Sequence, residues 1–128
     1  MTKQKPVEHS ECKQSLAAIK DALETLSGKW KLPIIVALKD GPKRFKELQR
    51  TVETITPKIL SKELKDMELN EFVTRQVYDT SPVSVEYELT KYSDSLDKVI
   101  RELREWGMLH RKHLAESCRK KKKLAGPV

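Results

Sequence analysis

The chain has 128 residues, of which 38% are hydrophobic and 35% charged, with a formal net charge of +7. That length holds one domain and one core with short tails, and such a chain buries roughly two-thirds of the surface it exposes when unfolded, so no staples are needed. No apolar run reaches the ~20 residues of a membrane span, and the N-terminal MTKQKPVEHSECKQ lacks the apolar stretch of a signal peptide. The two cysteines, Cys12 and Cys118, stand at opposite ends of the sequence and read as free thiols in a reducing compartment, so a cytoplasmic protein away from membranes is expected. The run Arg119–Lys123 supplies five of the seven net positive charges, so the distribution of charge matters more than its total.

Residues 1–9 contain Pro6 and no periodicity, and are expected to form a flexible arm. From Ser10 the spacing of Leu16, Ile19, Leu23 and Leu26 predicts a helix, broken at Ser27-Gly28. A second helix is expected in KWKLPIIVALKD, with Trp30, Ile34, Ala37 and Leu38 on one face and Pro33 in the first turn, where its missing N–H costs nothing. Asp40-Gly41-Pro42 stops it. A short helix, RFKELQRTV, then turns Phe45, Leu48 and Val52 inward. Thr56-Pro57 reads as an N-cap and first helical residue, opening a fourth helix over 57–69. Its apolar stripe is Leu60, Leu64 and Met67, widened by Ile59, while Lys58, Ser61, Lys62 and Lys65 fall on the other side.

Residues 72–78 and 84–89 alternate as two strands of a ribbon around DTSPV. A last helix follows from Thr90, carrying Leu96, Val99, Ile100, Leu103 and Trp106. The fold class is mainly α with a small β-hairpin (α+β): a winged helix-turn-helix with extra N- and C-terminal helices at 10–26 and 92–114, whose apolar stripes need a partner. The domain is thus expected over 10–114, ahead of a basic tail at 115–128.

Taken together, Cys12, GKW at 28–30, GPKRFKEL at 41–48, ITPKILSKELKDMELNEFVTRQVY at 55–78, PVSVEYELT at 82–90 and Trp106 resemble the HxlR-type winged-helix transcriptional regulators, relatives of the MarR group. The resemblance covers about residues 12–106. It implies a homodimer, formed largely by the terminal helices, on an inverted-repeat operator in double-stranded DNA. The helix at 57–69 would enter the major groove and the wing at 78–85 would lie along the flanking backbone or minor groove. Three positions depart from the family pattern. Lys13 stands where proline often follows the cysteine, Thr90-Lys91-Tyr92-Ser93 lacks the usual glycine, and Ser84 replaces a common basic residue of the wing. Residues 79–88 hold Asp79, Glu86 and Glu88 and no cation.

The candidate DNA-binding residues follow from charge and reach. Lys58, Lys62 and Lys65 offer donors to phosphates or base edges, with Thr56 and Ser61 as short polar groups. Lys43, Arg44, Lys46 and Arg50 would brace the backbone, or are surface charge balanced by Asp40 and Glu47. Arg75 could reach DNA from the first strand, or pair with Glu86 or Glu88 across the ribbon. Trp30 and Trp106 read as core and interface anchors. Cys12, near a helix start with Lys13 adjacent and His9 three residues before, is a sensor candidate for oxidants or reactive electrophiles, as some family members use a cysteine there; a plain small residue is the alternative, and no residue points to a small-molecule effector site.

His9/Cys12 and His110/His113/Cys118 have loosely metal-like spacing without a CxxC pair or a fourth ligand, so no metal and no cofactor is expected. No arrangement of catalytic groups is evident, so the chain is not read as an enzyme. RKKKK reads either as sequence-blind affinity for DNA or as a solvated, disordered end. The rival to DNA binding is a winged helix that docks protein.

Overall fold

The computed structural model describes residues 9–125, in two compact units divided between Thr90 and Lys91. The first holds α1 (His9–Thr25), α2 (Lys31–Leu38), β1 (Lys43–Arg44), α3 (Phe45–Val52), α4 (Pro57–Leu69), β2 (Val73–Tyr78) and β3 (Ser84–Leu89). The second holds a 3₁₀ turn, Lys91–Leu96, and α5 (Asp97–Ala125). The expected arm lies outside the described residues, apart from His9, which opens α1. This is the mainly helical fold with a small sheet that the sequence predicts.

The core of the first unit gathers around α2. Its sequence KLPIIVAL is apolar almost all round; Ile34, Ile35, Ala37 and Leu38 are buried, while Pro33 and Val36 remain exposed. Ile34, Ile35 and Leu38 from α2 meet Leu48 from α3, Leu60, Leu64 and Met67 from α4, and Phe72 and Val73 at the start of β2; all are buried. Pro33 is the third residue of α2, within the first turn. Trp30 directly precedes α2, half-buried, with the Lys29 ammonium 4.8 Å from its ring centroid.

The sheet differs from the expected two-stranded ribbon. β3 is central, pairing with β2 on one edge and with the two-residue β1 on the other, all antiparallel. Lys43 lies opposite Tyr87 and Arg44 opposite Glu86. Two residues are too short to show alternation, so β1 is invisible to a search for period two. Its pairing ties the entry to α3 onto the wing.

α5 also differs. It runs 29 residues and carries the basic run within it instead of ending near 114. Lysine and arginine are good helix formers, and cations in a last turn complement the negative end of the helix dipole, so a run that reads as a tail can continue a helix.

α4 ends in a Schellman motif. The Phe72 N–H donates to the Met67 carbonyl at 2.9 Å and the Glu71 N–H to the Glu68 carbonyl at 3.0 Å, with Glu71 at φ 64°. Met67 and Phe72 are buried beneath the turn. The motif reverses the chain into β2 within a few residues, so helix and wing follow one another without slack. Glutamate holds the position that glycine fills at least cost. Glu71→Gly is expected to raise stability by about 1 kcal/mol by removing the left-handed penalty of a side chain, read as a higher denaturant midpoint with unchanged m-value; a lower midpoint would show that the turn is not strained at Glu71.

Candidate nucleic-acid interface

α4 is built to present one face. Thr56, in extended conformation, accepts a hydrogen bond at Oγ1 from the Ile59 N–H at 3.3 Å, and Pro57 takes the first helical position. Leu60, Leu64 and Met67 are buried, whereas Lys58, Ser61, Lys62 and Lys65 are exposed. The exposed four stand at i, i+3, i+4 and i+7, which aligns them along one strip. Their side chains have no ion-pair partner among the described residues.

The helix is oriented by a pair of charges that its sequence pattern does not announce. Lys31, only 5% exposed, sends its ammonium to Glu63 Oε2 at 2.7 Å, with Asp66 Oδ2 at 3.7 Å and the Ser27 carbonyl at 3.3 Å. Glu63 is 8% exposed. The ammonium thus has two hydrogen-bond acceptors, Glu63 and the Ser27 carbonyl, and a second carboxylate within ion-pair range, the kind of compensation a buried charge requires. A lysine at the first residue of α2 opposes that helix's dipole, so the α4 carboxylates are its necessary counter-charge. The available signal was a charge at an inward position of each helix: Lys31 in an otherwise apolar segment, and Glu63 between Leu60 and Met67.

The turn before α4 also shapes the entry. Glu53 (φ 58°, ψ 155°) and Thr54 (φ 54°) both adopt positive φ, rare for a side-chain-bearing residue and rarer for a β-branched one. They tuck Ile55 into the core, 4% exposed, while the Gln49 side-chain amide donates to the Ile55 carbonyl at 3.4 Å.

The second basic cluster is divided. The Lys43 ammonium is hydrogen-bonded to Asp40 and its side chain is largely covered, and this neighbour holds the Asp40 carboxyl below the usual carboxylate range. Arg44, the residue before α3, and Arg50 in its last turn are both exposed and stand at opposite ends of that eight-residue helix, ~12 Å long. Phe45 and Val52 are half-buried and Leu48 is enclosed.

Arg75 is exposed on β2 opposite Tyr87, while Glu86 faces Gln76 and Glu88 faces Thr74. Directly paired residues share a face and successive residues alternate, so both glutamates lie on the face away from Arg75. The expected pairing of Arg75 with Glu86 or Glu88 is therefore corrected by the register. Toward the wing tip three apolar side chains, Val77, Tyr78 and Val83, are exposed.

Cys12 and Cys118 are exposed free thiols. Among the described residues no three His, Cys, Asp or Glu side chains converge to hold a metal, and no helix is long and apolar enough to cross a membrane.

Helices α2, α3 and α4 followed by an antiparallel wing define the winged helix-turn-helix class of DNA-binding folds. The model of the HxlR-like helix-turn-helix family matches residues 25–115, and the chain belongs to that family. It is 42% identical over 88 residues to the HTH-type transcriptional regulator YodB of Bacillus subtilis, covering 69% of this chain and 79% of YodB. The reduced form of the redox regulator HypR superposes with a TM-score of 0.72 at 33% identity, covering 77% of this chain and 98% of HypR. The reduced form of YodB gives a TM-score of 0.64 at 42% identity, covering 70% of this chain and 87% of that one. The chain is accordingly a DNA-binding transcriptional regulator.

Removing one member of the buried pair leaves the other charge unpaired. Lys31→Ala or Glu63→Ala is expected to cost about 3–5 kcal/mol, while the double variant Lys31→Met/Glu63→Met stays near wild-type stability. Chemical denaturation checks both; a single variant losing under about 1 kcal/mol would show that the pair is not enclosed in solution.

Proposed function

We propose that the chain acts as a cytoplasmic homodimer on an inverted-repeat operator, with α4 in the major groove of each half-site. The observation that carries this reading is the exposed strip Lys58, Ser61, Lys62 and Lys65 on a helix whose other face is locked into the core. Lysines give affinity for phosphates, and the short Ser61 and Thr56 leave room for close approach to bases. Thr56 Oγ1 can donate to a phosphate while it accepts the cap bond. Arg44, Arg50 and Arg75, all exposed, add backbone contacts; Lys43 adds less, because Asp40 engages it.

The homodimer is supported by two open apolar faces. On α1, Leu16, Ile19 and Leu23 are exposed, and on α5, Val99, Leu103 and Trp106 are exposed, the Trp106 ring stacking on His110 at 4.8 Å between centroids. A helix with an uncovered apolar stripe is marginal in water, and a second copy supplies the missing surface. Cys12 stands four residues before Leu16, on the same stripe as Leu16, Ile19 and Leu23. Modification of this thiol therefore alters the face that joins the two protomers and, through it, the spacing of two recognition helices. The relatives support a thiol response, since HypR is described in reduced and oxidised forms and YodB in reduced and diamide-treated forms.

A protein-docking winged helix is the second reading, favoured by the apolar wing tip at Val77, Tyr78 and Val83. Selection from random duplex DNA separates the two. Enrichment of a palindrome bound far above an unselected control is the expected result, and Lys62→Ala lowers the salt slope by about 0.9 for each phosphate that Lys62 neutralises. No enrichment would favour docking, and an unchanged slope would show that Lys62 neutralises no phosphate.

The thiol arm has its own test. Diamide, which takes two electrons and two protons from a pair of thiols, is expected to join Cys12 to its counterpart in the other protomer, and so to weaken operator binding of the wild type and of Cys118→Ser while leaving Cys12→Ser unaffected, in a mobility-shift titration. Diamide sensitivity persisting in Cys12→Ser would reject Cys12 as the sensor.

A further inference from the structure

The C-terminal end of α5 lies past the family match, which stops at residue 115, and the established fold gives it no role. The helix continues through Arg119, Lys120, Lys121, Lys122 and Lys123 to Ala125. At about 100° per residue, five consecutive positions place a cation at every azimuth of the rod. All five side chains are exposed, and none has an ion-pair partner among the described residues. The sequence after Glu116 contains no acidic residue. Cations at a helix C-terminus complement the dipole, but Arg119 with Lys122 or Lys123, and Lys120 with Lys123, are like-charged neighbours along the helix, which oppose it. A polyanion removes that repulsion while keeping the dipole benefit.

We propose that this segment is a second duplex-binding element, which takes phosphates on both walls of a DNA groove and reads no bases; it rests on the DNA-binding reading above. The major groove is about 12 Å wide and admits a helix, with phosphates along either edge. A rod with cations all round suits two walls, where a one-sided basic stripe would serve a single surface. An anionic membrane is the poorer fit. An interfacial helix needs an apolar face, and here Cys118 and Leu124 stand roughly 120° apart with lysines between them. The element supplies affinity and leaves specificity to α4.

The experiment uses the full chain and the variant R119Q/K120Q/K121Q/K122Q/K123Q, in which glutamine keeps helix propensity. Binding is measured against salt on a selected duplex and on an unselected one, with phosphatidylserine vesicles in parallel. On both duplexes the salt slope of the variant is expected to fall by about 0.9 per phosphate neutralised, up to about 4.5 per protomer, with affinity at low salt down at least about tenfold. The ratio between the two duplexes stays within about twofold. Equal slopes for wild type and variant would overturn the proposal. So would a loss confined to the selected duplex, or a loss confined to vesicles. If the wild type enriches no sequence, specific regulation by α4 fails, while the slopes on unselected DNA still decide the role of this segment.

Discussion

The ion pair between Lys31 and Glu63 fixes α4 against the start of α2, and the exposed strip of α4 is presented from that attachment. It joins the first residue of α2 to the middle of α4, with the Ser27 carbonyl as a second acceptor and the Asp66 carboxylate nearby at 3.7 Å. Apolar packing of Leu60, Leu64 and Met67 supplies the energy that holds α4 down. Such packing tolerates some rotation and sliding, whereas a buried charge does not: it needs its partners at hydrogen-bonding distance. A buried pair adds little net stability over apolar residues of the same size, so its contribution is definition of the helix's rotation. With that rotation set, Lys58, Ser61, Lys62 and Lys65 project outward together.

The elements around α4 extend the same constraint. Glu53 and Thr54 accept unfavourable backbone angles so that Ile55 can enter the core, and the tight reversal at Glu71 carries the chain directly into β2. β3 then pairs with both β2 and β1, which binds the start of α3 to the wing. Helices α4 and α3 and the wing are thereby connected through short, hydrogen-bonded segments.

Charge is partitioned along the chain. The strip on α4 and the end of α5 are cationic, while the wing carries Asp79, Glu86 and Glu88 and ends in exposed Val77, Tyr78 and Val83. Arg75 is the only cation of the wing strands and their loop, so the exposed positive charge lies mainly on helices. The charge of Lys43 is offset by Asp40, which engages its ammonium.

What the sequence by itself determined is local: the apolar spacing of the helices, the Thr56-Pro57 start of α4, the alternation of the wing strands and the division of α4 into a buried and a polar face. Each follows from periods of 3.6 or 2 and from capping chemistry within a few neighbouring residues. Only the tertiary structure decided the partner of Lys31, since Glu63 lies 32 positions away and nothing in either neighbourhood names the other. It also decided that β1 exists, and that Arg75 faces Tyr87 instead of a glutamate, because strand register assigns every side chain to a face and a slip of one residue reverses the assignment. The last turns of α5 belong to the same class: a lysine run suits a helix and a solvated tail alike, and composition does not choose between them.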